Sequence, residues 1–284
     1  MEFNIKGVDI SNNNNLSDLS TLTNNGVECL YLKATEGATF KDSTSINRYS
    51  QAKDLGMKVG FYHFLVSTSS PEAQAESFWN YVKDFNCDLK YCVDVEKDWN
   101  GMSNATIDFI NHWNEISGGK ELIIYTYSGF MCNFTQSAID VIKDMPCWIA
   151  NYRRDYEGVN TGFFTNICGW QYSENGNIGS FTGDCNWFNE KCLLSQGEWL
   201  KGKSEGNENK WWYRHTDGSY TINNWEHVNN EWFYFDNDGW AVTGWLKSPY
   251  SGKWYYFYTD TCTMAHDTTI EGKYVLGSDG AMIE

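Results

Sequence analysis

Up to about Gly197, short apolar, β-branched runs alternate with longer stretches of helical period. Val27–Lys33, Lys58–Phe64, Leu89–Val95, Glu121–Tyr127 and Cys147–Tyr152 read as strands. Ser43–Leu55, Pro71–Lys83 and Asn104–Ser117 read as helices, the second with Ser70 as N-cap and Pro71 in its first turn. Repeated strand–helix alternation predicts a parallel sheet closed into a barrel. In such barrels functional residues gather at the C-terminal ends of strands, where Asp9, Glu36, His63, Glu96, Tyr127 and Tyr152 fall.

The texture then changes. Residues 198–210 (EWLKGKSEGNENK) are polar and charged and read as a linker. Beyond them aromatic runs recur at Trp211, Trp232, Trp254 and Tyr274. Their period of roughly 21 residues marks a repeat array. Asp-Gly follows three of the four runs, at Asp217-Gly218, Asp238-Gly239 and Asp279-Gly280, and signals a turn. Each unit is expected to be one β-hairpin, and hairpins of this size need neighbours to stack on. The domains expected are thus 1–197, a linker at 198–210, and a small all-β domain at 211–284.

Composition narrows the field. The formal net charge of −16 disfavours nucleic acid and anionic membranes and favours cationic ligands. No apolar run is long enough to span a bilayer. The first residues enter a strand pattern without a basic start and apolar core, so synthesis in the cytoplasm is expected. Nine cysteines, odd in number and irregular in spacing, suggest buried thiols rather than a disulfide or zinc framework. No cofactor or metal is implied.

Asp94 and Glu96 lie two apart in the run YCVDVE, so in a strand both point to one face, about 6.6 Å apart along it. Two such carboxylates resist ionising together. A protonated acid beside an ionised one is equipment for cleaving a glycosidic bond. On its own, D-x-E is as readily a solvated strand end.

The flanking residues carry a resemblance. Gly7-Val8-Asp9-Ile10-Ser11, Leu32-Lys33-Ala34-Thr35-Glu36-Gly37, Gly60-Phe61-Tyr62-His63-Phe64, Asp94-Val95-Glu96, Ile124-Tyr125-Thr126, Trp148-Ile149-Ala150, Trp170-Gln171-Tyr172 and Gly183-Asp184-Cys185-Asn186-Trp187-Phe188 come in order. Residues 6 to about 192 resemble glycoside hydrolase family 25, the lysozymes of phage endolysins and bacterial autolysins. The resemblance implies an irregular, TIM-like (β/α)5β3 barrel of α/β class and hydrolysis of the β-1,4 bond between N-acetylmuramic acid and N-acetylglucosamine. It makes Glu96 the general acid, and Asp94 a nucleophile, a base or the partner of the substrate's own acetamide. Asp9 and Asp184 match further acids of the site floor. Lys33, Tyr62, Tyr125, Trp148, Tyr152 and Gln171 are candidate substrate contacts, with plain core or solvated roles as the alternative for several of them. The tail resembles choline-binding repeats, with Trp225, Trp232, Tyr234, Trp245, Trp254 and Tyr256 as cage candidates. The third unit departs from the pattern at Thr259-Asp260-Thr261-Cys262, and the last lacks its tryptophan.

The expectation is an N-acetylmuramidase of phage endolysin type. It would be made in the host cytoplasm, act on the Gram-positive wall after release, and be held there by choline or another wall polymer. It would be a monomer or a tail-mediated homodimer. A bacterial autolysin of the same activity and a non-catalytic wall-binding protein are the alternatives. A chitinase is disfavoured, because Leu89 and Cys92 occupy positions where that family's D-x-x-D-x-D-x-E motif has acids.

Overall fold

The computed structural model describes residues 3–194, 197–215, 218–228 and 231–283. The chain divides into two compact units, Met1–Leu194 and Ser195–Glu284.

The first unit is a closed barrel. Its strands are β1 (Ile5–Ile10), β2 (Cys29–Glu36), β4 (Lys58–Phe64), β5 (Tyr91–Asp94), β6 (Leu122–Tyr127), β7 (Cys147–Ala150), β8 (Ile167–Ile178) and β9 (Phe181–Phe188), with a short β3 (Phe40–Lys41) added at the edge of β2. Neighbours from β1 to β8 run parallel. The hairpin partner β9 runs antiparallel to both β8 and β1 and closes the ring. Helices α1 (Ser20–Thr23), α2 (Ser45–Asp54), α3 (Pro71–Val82), α4 (Met102–Ser117) and α5 (Gln136–Ile142) follow the first five barrel strands. The order is therefore (β/α)5β3.

Sequence explains the helix ends. Ser70 accepts from the Ala73 amide and Pro71 opens α3. Gly118, at φ 68°, takes the left-handed turn that ends α4. Phe78 of α3 and Trp113 of α4 stack at 5.1 Å within the core between helices and sheet. The barrel interior is a second core of Tyr31, Tyr125, Trp148 and Phe188 with several cysteines. A Cβ at Gly7 or Gly169 would lie 2.6 Å from the Phe188 ring, so these two glycines make room for it.

The second unit is four hairpins: β10 (Glu198–Lys201) with β11 (Trp211–Arg214), β12 (Asn224–Val228) with β13 (Glu231–Phe235), β14 (Gly244–Lys247) with β15 (Trp254–Phe257), and β16 (Thr268–Ile270) with β17 (Tyr274–Leu276). Two expectations are corrected. Residues 198–201 are not linker but the first strand of the first hairpin, paired across a polar connection. Each aromatic run is the second strand of its hairpin, so the following Asp-Gly turn does not join the paired strands. Instead Asp236 Oδ1 accepts from the amides of Asp238 and Trp240, and the chain turns toward the next unit. Asp217 lies outside the described residues. The segment after each turn then bonds back one repeat: Ala241 N to Trp211 O, Met264 N to Trp232 O and Met282 N to Trp254 O. Successive hairpins are therefore coupled through the backbone, which a lone hairpin's marginal stability requires.

Candidate active site

Four acids converge at the C-terminal mouth of the barrel. Asp94 is the last residue of β5, and Glu96 follows one buried valine later. Asp9 near the end of β1 is paired in register with Asp184 of β9. Because β9 runs antiparallel, the first half of that strand reaches the same mouth. All four line a pocket of about 390 Å3 with Lys33, Tyr62, Tyr125, Trp148, Tyr152 and Gln171. Every catalytic and substrate position expected from the sequence therefore borders one cavity.

A larger cavity of about 650 Å3 shares Asn13, Lys33, Glu36 and Lys97 with this pocket. On another side a 400 Å3 depression shares Glu96 and Tyr152 with it. Glu96 thus sits within an elongated groove rather than at a blind end.

Polar contacts fix the floor. Asp9 Oδ2 accepts from Gln171 Nε2 at 3.0 Å and from Asn186 Nδ2 at 2.8 Å. Gln171 Oε1 accepts from Tyr125 at 3.0 Å and Tyr152 at 3.3 Å, and Asn186 Oδ1 accepts from Trp148 Nε1 at 2.9 Å. Both amides are therefore oriented with their NH2 groups toward Asp9. Trp148 is only 2% exposed, with Tyr31, Tyr125 and Phe188 against it. Its expected role as a sugar platform is corrected: its ring faces are occupied, and it positions Asn186. Tyr152, 53% exposed at the rim, keeps an open face.

The electrostatics follow from burial. Desolvation raises Asp94 well above the usual carboxylate range, and the Glu96 charge adds to it. Glu96 is also raised by burial, while Lys97 and Lys33 pull it back. Burial and mutual repulsion lift the paired Asp9 and Asp184, to about 6 and about 8. The two amide donors favour the charge on Asp9 and leave the proton on Asp184. Asp94 Oδ1 is buried without a hydrogen-bond partner among the described residues.

Other residues play parts the sequence reading did not assign. Lys33 pairs with Glu36 at 2.6 Å rather than directly with a catalytic acid. Buried Arg48 donates to the carbonyls of Ser11, Asn14 and Leu16, and Asp42 accepts from the Asn12 amide; together they hold the asparagine-rich loop that edges the groove. His63 bridges Thr35 and Gln74 in the core, and burial pushes it down to about 3, so it is a neutral structural group. Asn186 lay in a recognised motif, but a pattern of residue types gives no sign that its amide reaches β1.

In the second unit a threefold pattern emerges. Trp225 lies 6.4 Å from Trp232 within one hairpin and 4.8 Å from Tyr255 of the next. Trp245 lies 5.0 Å from Tyr274 one hairpin on, and Trp199 lies 4.7 Å from Phe233. Trp232 and Trp254 are exposed at 45% and 41%. Of the cage candidates, the four tryptophans occupy equivalent positions in two repeats. Tyr234 does not present itself: it is 3% exposed and packs edge-on against Trp225. Tyr256 packs likewise against Trp245 within its own hairpin. Tyr255 and Tyr274 of the following hairpins supply the third walls instead.

A (β/α)5β3 barrel with four acids at its mouth defines a glycoside hydrolase, and residues 8–181 match the glycosyl hydrolases family 25 model. The chain belongs to that family. Residues 222–268 match the choline-binding repeat. The chain is 32% identical over 196 residues to the autolytic lysozyme of Clostridium acetobutylicum, covering 67% of this chain and 57% of that relative, less than two thirds of its length. The muramidase of Acremonium alcalophilum superposes with a TM-score of 0.56 at 31% identity, over 66% of this chain and 94% of that one. The modular Cpl-1 endolysin, solved with a peptidoglycan analogue, matches all of this chain and 83% of its own at 25% identity and a TM-score of 0.50.

Proposed function

We propose that the protein is an N-acetylmuramidase that hydrolyses the β-1,4 bond between N-acetylmuramic acid and N-acetylglucosamine in peptidoglycan. The observation that carries this reading is the Asp94–Glu96 pair, raised in pKa, beneath an elongated groove. Glu96 protonates the leaving oxygen. A general acid needs a pKa near the working pH, which its burial provides. Asp94 Oδ1, buried and unpartnered, is placed to accept the N–H of the acetamido group of the sugar whose bond breaks. That contact turns the acetamide oxygen toward the anomeric carbon, the substrate-assisted variant of the two-carboxylate scheme. The pair shares a proton: in the open site the deeper burial of Asp94 holds it. Docking of the amide N–H stabilises Asp94 as carboxylate and leaves the proton on Glu96. Asp9 and its two amides set the negative floor beside them.

Two observations support a wall-bound role. The groove runs to both sides of Glu96, as an internal cut in a long polymer requires. The tail's Trp–Trp–Tyr groups suit a quaternary ammonium such as wall choline, which aromatic faces hold by cation–π attraction. The test is clearing of purified cell walls by the wild type and by Glu96→Gln. Clearance at equal rates by both would remove the assignment.

A further inference from the structure

The largest cavity is not the catalytic pocket but its 650 Å3 neighbour. Its charged lining is Lys33, Glu36, Lys97 and Asp98; the remainder is amides and hydroxyls, such as Asn13 and Thr68, with Phe40 and Trp99 as apolar surface. The four charges are not equivalent. Lys33 is neutralised by Glu36 at 2.6 Å. Lys97 makes no ion pair with any described residue; its ammonium rests 4.8 Å from the centre of the Phe64 ring, beside Lys33 at 4.7 Å from the same ring. A free ammonium held at a cavity mouth in a chain of net charge −16 is an anion-binding feature. Asp98, exposed next to it in sequence, is the competing charge.

We infer that this cavity receives the peptide substituent carried by muramic acid, with Lys97 as counter-ion to one of its carboxylates. The inference rests on the muramidase reading and extends it from the glycan to its side chain. The glycan backbone of peptidoglycan is neutral where the lactyl group is amide-linked, so it offers Lys97 no partner. The attached peptide ends in carboxylates. The cavity adjoins the pocket that holds the scissile bond and exceeds it in volume, which accommodates a branch as well as a sugar.

The test compares two muramyl oligosaccharides of equal size, one bearing a stem peptide with free carboxylates and one with those groups converted to carboxamides. The expected ratio of kcat/KM favours the carboxylate form by about fivefold for the wild type, the scale of a partly exposed charge-assisted contact. Lys97→Gln brings that ratio to one, and Lys97→Arg keeps it. Lys97 also acts on Glu96, but a change in the acid affects both substrates alike and cancels in the ratio. Equal kcat/KM for the two substrates in the wild type, or a ratio unchanged by Lys97→Gln, overturns the inference. Absence of any new reducing ends from either substrate with the wild type removes the muramidase reading itself, and this inference with it.

Discussion

At the scale of single residues, the site gathers acids that would each ionise in water and prevents most of them from doing so. The YCVDVE run made the Asp94–Glu96 pair legible from sequence, because strand alternation puts both on one face. The depth of each was not legible: Asp94 is 6% exposed, and its environment depends on strands far away in the chain. Glu96→Gln keeps the shape and removes the acid, so kcat should fall by roughly 100- to 10,000-fold, measured as new reducing ends per unit time. Asp184 shows the cost of the arrangement. Its pKa rises to about 8 in the folded protein. Below the carboxylate's unfolded value, near 4, both states are protonated and no penalty exists. As pH rises toward 8 the unfolded state ionises first, so stability is lost across that window. Asp184→Asn should therefore raise stability by about 1–2 kcal/mol at pH 7, with the gain vanishing near pH 4. Thermal unfolding at the two pH values checks both halves of the statement.

At the scale of elements, the β8–β9 hairpin is the part the sequence concealed. The parallel strands up to Cys147 announced themselves by alternation with helices, and the observed ends differ from the expected ones by only a few residues. The hairpin carries no helix and has register shifts at Ser173, so periodicity did not mark it. Yet it brings Gln171 and Asn186 face to face beneath Asp9. Asn186→Ala should lower kcat by about 10- to 100-fold, the worth of one charge-assisted hydrogen bond, with KM for wall fragments nearly unchanged. In the tail, the same limit hid β10: its partner lies ten residues downstream across a polar stretch, so composition read it as linker. The aromatic period was legible, but which aromatic faces the next repeat depends on the pairing register, and this moved two walls from Tyr234 and Tyr256 to Tyr255 and Tyr274. Trp232→Ala in the full chain should weaken retention on a quaternary-ammonium resin by about tenfold in affinity, read as earlier elution by free choline.

At the scale of the whole molecule, two units divide the labour: a barrel that cuts and a hairpin stack that holds. Among the described residues no helix is long and apolar enough to cross a membrane, and none of the His, Cys, Asp and Glu groups is arranged to hold a metal ion. The chemistry proposed here accordingly uses side chains alone. The central claim is the bond that is cut, and the most direct measurement is the identity of the new reducing ends. Purified peptidoglycan digested with the full chain is reduced with borohydride, hydrolysed and analysed for amino sugar alcohols. The account predicts muramitol from the wild-type digest and none above background from Glu96→Gln. Glucosaminitol as the new product, or muramitol at wild-type levels from Glu96→Gln, would contradict it.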